Sequence, residues 1–513
     1  MIDERAMANA AAHGLLPRCG WPLPRREGGR KLLSFDACLR FVDGRFPHGN
    51  GVTRREWLRL GGLAGLGLGA TSARARERRA EGPGTAGFGR ARSVVVVYAN
   101  GGQSQLEMWD PKPDAPLEVR GEFAAIRSAV PGTFLGEHLP RLARLADRYT
   151  IVRSVAHDDL DHGSATYQAL TGRAHRIKSS NPPPSPADFP TYGAVLKRVR
   201  PTDRFPETAV HVNGPALVPE QPGPGQDGGF LGREFGPLVV GDSREKPISF
   251  DLTPGLEIPT VRREARRSLL DSIEGTCRQW QDDPAMLEMS RRYRQAYAFL
   301  ASPRYREAFD LAQEPEALRD RYGRNRSGQA CLLARRLVEV GVPLITVMWN
   351  HSARGQDKSP DDPESFGWDT HNDIFETLRA HLLPRFDQSF SAFLEDLEER
   401  GLLDETLVIC MGEFGRAPRV ALEAKFAGQT PGRKHWASAY SIVAAGAGVT
   451  RGATLGGTDR LAAYPVSDRV GPWDIAATIF AALGIDPATE YIDPLGRPSP
   501  VSIGTPIAGL YRG

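Results

Sequence analysis

A doubly wound α/β fold, with a mostly parallel sheet and helices on both faces, is what this 513-residue sequence predicts. Three observations predict it: continuous β-branched runs, helical patterns alternating with them, and enough apolar residues to cover both faces of a sheet. Residues 93–98, Ser-Val-Val-Val-Val-Tyr, show no polar alternation, as expected of a strand buried on both sides. Runs at 149–155, 208–212, 343–349, 406–411 and 439–444 read the same way. Between them fall helical patterns at 139–147, 164–171, 329–340, 374–400 and 473–483. No internal repeat interrupts the alternation.

Composition narrows the class further. The chain is 40% hydrophobic and 25% charged, which suffices for a sizeable core. Its 55 Gly and 41 Pro imply many turns and long loops, without the strict period of a collagen. A net charge of +3 argues against a dedicated nucleic-acid binder. Cys19, Cys38, Cys277, Cys331 and Cys410 form no CxxC pair, so a disulfide scaffold is excluded.

The N-terminal region reads as separate from the fold. Thr53-Arg54-Arg55-Glu56-Trp57-Leu58-Arg59 precedes a weakly apolar run at 61–70 and then Ala73-Arg74-Ala75. Paired arginines, a short apolar stretch and a small-x-small site are the parts of a twin-arginine export signal over 52–75. The apolar run falls far short of the roughly 20 residues that a membrane-spanning helix needs. Residues 1–51 are expected to be disordered or to reflect a mis-called start, and 76–92 to be a tether. Residues 1–75 hold 12 Lys+Arg against 6 Asp+Glu, so the chain beyond them is mildly acidic. A periplasmic or cell-envelope location is expected, without a transmembrane segment. The folded domain is expected over 93–513, with an insertion at about 180–325. Within it, 180–257 is Pro- and Gly-rich and reads as ordered surface loops. Residues 258–325 read as charged helices with a solvated face or a partner surface.

Open α/β sheets bind ligands at the carboxyl ends of their strands, and four such places are rich in polar residues. After 93–98 come Asn100-Gly-Gly-Gln-Ser-Gln-Leu-Glu107-Met-Trp-Asp110-Pro, where paired glycines let the backbone approach a ligand and two carboxylates follow. Asp110 before a proline is equally a turn-former. After 149–155, two His and three Asp fall within 157–162, ahead of Ser164, Thr166 and Arg173 on a helix. That helix N-terminus suits an anionic substrate. Gly367-Trp368-Asp369-Thr370-His371 offers a carboxylate and an imidazole to one cation, or else a helix cap. The strand 406–411 leads to Gly412-Glu413-Phe414-Gly415-Arg416, and the basic loop Arg433-Lys434-His435 lies about 20 residues on. Together these last two suit an electrophile-stabilising cluster.

At these residues the chain resembles the alkaline phosphatase and sulfatase superfamily. More closely, it resembles a bacterial branch of twin-arginine-exported, sulfatase-like proteins with GGxSxxxxxDPKP, WDTH and GEFGR signatures. His162 to Arg173 is similar to the sulfatase motif CxPSRxxLLTGR, ending in the same Leu-Thr-Gly-Arg. Gly412-Glu-Phe-Gly415 stands where that family has its Ser-Asp-His/Asn-Gly metal loop. The resemblance implies one metal site from Asp369, His371 and His435, suiting zinc or manganese. It implies a second from Glu413 with Glu107 or Asp110. His162 replaces the cysteine that becomes formylglycine, and Phe414 replaces a ligand. The implied activity is therefore a metal-dependent hydrolysis of phosphate or sulfate esters without formylglycine, using one or two ions. Water activated by the metal, or Ser164 or Thr166 with His162 as base, would attack. Arg173, Arg416, Arg433 and Lys434 would neutralise the substrate's oxygens. The substrate would be a small anionic ester or a sulfated or phosphorylated glycan. The alternative is a catalytically reduced protein that binds an anionic glycan or an envelope partner.

Overall fold

A computed structural model describes residues 86–202, 205–241, 303–350, 366–493 and 495–511, with scattered positions between 265 and 293. All belong to the compact unit Arg78–Gly513. The twin-arginine segment, residues 1–51, Cys19, Cys38 and Cys277, and most of 242–302 lie outside the described residues.

Eight strands form one sheet: β1 (Ser93–Ala99), β2 (Tyr149–Val155), β3 (Ala209–Val212), β4 (Leu238–Val240), β5 (Leu344–Asn350), β6 (Thr406–Met411), β9 (Tyr440–Ala445) and β10 (Ala453–Leu455). A ribbon of β7 (Gly415–Arg416) and β8 (His435–Trp436) stands apart from it. The order across the sheet is β10-β2-β9-β6-β1-β5-β3-β4. Every pairing is parallel except those of β9, which runs antiparallel to both β2 and β6. Two reversals restore the common direction, so β1, β2, β5 and β6 all end at one edge.

The apolar run of β1 serves two cores at once. Val95, Val97 and Ala99 pack on one face, and Val94, Val96 and Tyr98 on the other. The first face is covered by α3 (Arg326–Val340) and α4 (Leu383–Glu399), which bury Leu333, Leu337, Phe386, Phe390 and Leu394. The second is covered by α1 (His162–Thr171), α2 (Tyr192–Val199) and α5 (Pro472–Ala482), through Leu170, Leu196, Ile475 and Phe480. Each such side chain contributes roughly 1.5–3 kcal/mol by leaving water. Asn325 caps α3 by accepting from Gly328 N–H, and Gly341 ends it in the left-handed region. The helical pattern at 374–400 is one run with a π turn, Leu378–Leu382, just before Pro384. Pro384 has no N–H to give that turn.

Two edge strands, β4 and β10, escape a reading of periodicity because three residues carry too little pattern. Besides the strand expected at 208–212, now β3, the Pro/Gly-rich stretch supplies α2 and β4 toward the sheet's edge. The end of the expected tether is docked instead of free. Gly89 and Ala91 N–H donate to the carbonyls of Ala481 and Ala482 at the end of α5. Cys331 and Cys410 are buried free thiols. No helix among the described residues is long and apolar enough to cross a membrane.

Candidate metal centre

At the common strand edge, four segments far apart in sequence bring their side chains together. His162 opens α1 after β2, Asp369 and His371 follow β5, Glu413 follows β6, and His435 sits on β8. His162 Nε2 lies 3.2 Å from Asp369 Oδ2, and His435 Nε2 lies 3.1 Å from Asp369 Oδ1. His371 Nε2 is 3.2 Å from the same Oδ1 and 3.0 Å from His435 Nε2. One ligand atom from each of His162, Asp369 and His435 falls within 4.8 Å of the others, so these three are placed to hold one ion.

The outer nitrogens fix the rings. His162 Nδ1 is 2.7 Å from Glu413 Oε1, and His435 Nδ1 is 2.5 Å from the Leu160 carbonyl. Each acceptor draws a ring proton to Nδ1 and leaves Nε2 directed at Asp369. Burial, helped by the charge on His162, depresses His435 to about 3, so this ring is neutral. Burial likewise lowers His371, whose Nδ1 is buried without a hydrogen-bond partner. Lone pairs facing a carboxylate repel it unless a proton or a cation lies between. At His162 burial opposes charging, but the Asp369 carboxylate outweighs it and raises the ring to about 9. Asp369 is itself buried, yet His162 and Arg416 hold it well below the usual carboxylate range. The donor set, two or three imidazoles and one carboxylate, therefore fits a metal cation.

A tightly bonded shell supports the cluster. Glu413 is fully buried and accepts from Tyr98 Oη at 3.0 Å and Gly101 N–H at 2.8 Å, besides His162. Tyr98 Oη in turn lies 2.8 Å from Thr166 Oγ1. His157 Nε2 contacts the Glu413 carbonyl at 2.6 Å. Arg416 donates from Nη1 to Asp369 at 2.8 Å and to the Arg433 carbonyl, and from Nε and Nη2 to the Gly102 and Gly101 carbonyls. Phe414 packs against the His162 and His435 rings, at centroid distances of 5.0 and 4.6 Å. Gly102 is obligatory there: its φ is +80°, and a Cβ would lie 2.6 Å from the Phe414 ring.

Several expected roles do not match the placements. Glu107 is bound by the buried Arg433 guanidinium, with Nη2 2.6 Å from Oε1, and Asp110 by Lys112 and Arg153. Cations thus occupy both carboxylates, and neither joins Glu413 in a second site. His162 lies within the ligand set, with both ring nitrogens on carboxylates, so it is not a base for a hydroxyl. Ser164 Oγ donates to Asp159 at 2.6 Å, while Thr166 is bonded to Tyr98. The helix N-terminus is no anion pocket, since Gly163 and Ser164 N–H donate to Asn181 Oδ1 and the Ser180 carbonyl. Arg173 lies at the far end of the ten-residue α1, about 15 Å away along the axis. Its guanidinium serves the Pro500 carbonyl. Lys434 is exposed and pairs with Glu423.

Other participants were not apparent from the sequence. Tyr98 reads as a strand residue, and His157 as one of a polar run. Asn372 and Asp373, directly after His371, hold the loop 421–432. Asn372 Nδ2 donates to the Glu423, Phe426 and Ala427 carbonyls, and Asp373 Oδ1 accepts from Gln429 and Thr430 N–H. Phe426 of that loop stacks on His371 at 3.8 Å and 13°. A polar pair continuing a ligand motif was the one available signal.

Among solved structures, Ps i-CgsB shares 14% identity over 82% of this chain and 76% of that one, with a TM-score of 0.37. The lipoteichoic acid synthase LtaP from Listeria monocytogenes shares 9% over 82% and 77%, also at 0.37. The phosphonate monoester hydrolase SpPMH from Silicibacter pomeroyi shares 14% over 78% and 74%, again at 0.37. At these values the likeness adds nothing to the chemistry read from the side chains. No curated protein matches the sequence. A family model does, over residues 91–510, and the chain belongs to that family, described as "Protein of unknown function (DUF1501)".

Proposed function

We propose that this chain is an exported, metal-dependent hydrolase of phosphate or sulfate esters that works without formylglycine. The observation that carries the reading is the facing of His162, His371 and His435 Nε2 toward the single carboxylate of Asp369. A divalent ion, zinc or manganese, would satisfy the inward-facing Nε2 atoms and the carboxylate together, displacing the proton of His162. Such an ion supplies Lewis acidity and lowers the pKa of water. His162, Asp369 and His435 would hold it, with His371 beside them. Glu413 fixes the proton of His162 at Nδ1, and the Leu160 carbonyl does the same for His435. Arg416 holds Asp369 in place, and Phe414 keeps solvent off the inner side. Since the hydroxyls of Ser164 and Thr166 bond elsewhere, water is the attacking group in this reading. The substrate class is a small anionic ester or a sulfated or phosphorylated glycan. The twin-arginine pattern at 52–75 supports a site of action in the periplasm or envelope.

A second reading, a catalytically reduced binder of an anionic glycan or an envelope partner, is favoured by Phe414 and by the cation-bound Glu107 and Asp110. One experiment separates them. Full-length protein with stoichiometric metal, screened on aryl phosphate, phosphodiester and aryl sulfate, hydrolyses at least one if the first reading holds. Metal binding with no turnover of any of them selects the second.

A further inference from the structure

Charge around the cluster is distributed unevenly. Arg416 and Arg433 are fully buried with their donors satisfied by protein oxygens, so neither reaches an incoming substrate. Arg173 and Lys434 are engaged elsewhere. One cation next to the cluster is differently placed. Lys425 is exposed, and its Nζ stands 5.0 Å from the centroid of Phe426. Phe426 in turn lies flat on His371. The ammonium is therefore one aromatic ring beyond the cluster, with no carboxylate within ion-pair reach among the described residues. The loop that carries it is held firmly by Asn372 and Asp373. Gly428 lets the loop close on them: its φ is +116°, and a Cβ there would lie 2.5 Å from that of Asn372. A loop pinned this tightly, with its one unpaired charge facing solvent, fits recognition better than packing.

We infer that Lys425, presented by Phe426 and the 421–432 loop, binds a second anionic group of the substrate. The preferred substrate is then an ester with two separated negative charges, one at the reacting group and one within reach of a lysine side chain. This rests on the hydrolase reading and narrows its substrate class. The test compares binding of fructose 6-phosphate and fructose 1,6-bisphosphate, which differ in one phosphate, to metal-loaded full-length protein by calorimetry. Lys425→Gln is expected to weaken the bisphosphate about 5- to 10-fold and the monophosphate less than about 2-fold, with the difference shrinking at high salt. Lys425→Arg is expected to restore the preference. Arg497→Gln, an exposed cation paired with Asp493, serves as the charge control. Equal weakening of both probes, no change with Lys425→Gln, or the same loss with Arg497→Gln overturns the inference. If the wild type hydrolyses esters while any of those results is found, the hydrolase reading stands and only this inference falls. If the wild type binds neither probe and turns over no ester, both fall together.

Discussion

Two buried polar clusters, one between helices on a face of the sheet and one at its strand edge, differ in one respect, charge closure. Between α3 and α4, Arg335 is buried against Glu314 at 2.8 Å, Asp396 at 2.9 Å and Glu339 at 2.6 Å. Tyr322 Oη donates to Asp396, and Arg400 binds both Asp396 and Glu339. Every charge there meets an opposite charge from the protein. At the strand edge, three imidazoles share one carboxylate, and their inner nitrogens face inward without enough protons to bridge them. The first cluster is complete as a structural element. In the proposed reading the second is completed by a metal ion. Burial alone does not separate the two; the balance of donors and acceptors does.

That contrast is open to attack. Arg335→Leu is expected to cost about 3–5 kcal/mol, because it strands buried carboxylates, while leaving metal content unchanged. Denaturant unfolding with metal analysis on the same sample reads both. Asp369→Ala is expected to lower metal affinity by more than about 100-fold, because it removes the only carboxylate of the set. It should change stability far less than Arg335→Leu does, measured without metal. If instead Asp369→Ala unfolds the metal-free chain, the edge cluster is as structural as the other one.

Smaller effects sharpen the same point. Glu413→Gln keeps the shape but weakens the grip on His162 Nδ1–H, and is expected to cost about 10- to 100-fold in metal affinity. The pH dependence has a definite sign. His162 is raised to about 9 in the metal-free protein, so at neutral pH an ion must displace its proton. Affinity should therefore rise about tenfold per pH unit up to about pH 9, with close to one proton released, as read by calorimetry in two buffers. A flat profile would place the proton elsewhere. Lys434→Ala is expected to change neither metal content nor turnover, since the exposed Lys434 pairs with Glu423 and not with the cluster.

Much of this was legible in the sequence, for physical reasons that also mark where legibility ends. Strands such as 93–98 and 406–411 announce themselves because burial on both faces leaves no polar alternation. β4 and β10 carry three residues each, too few for any period. Asp369, His371, Glu413 and His435 follow strands or sit in a polar ligand-like motif, so strand direction alone suggested a shared edge. The partners of Glu107 and Arg173 were hidden, because a neighbour hundreds of residues away leaves no local trace. Arg433 captures Glu107 across 326 positions of sequence. Lys425 and Phe426 were hidden for a related reason: their loop matters only through what Asn372 and Asp373 do to it.

The most direct measurement is the metal content of the purified full-length protein, wild type beside His162→Ala and His435→Ala, after equilibration with zinc or manganese and removal of free ion. About one tightly held ion per wild-type chain and its loss in each variant are expected, with folding retained by circular dichroism. A wild-type chain that retains no ion, or variants that keep it unchanged, would show that this cluster is not built around a cation.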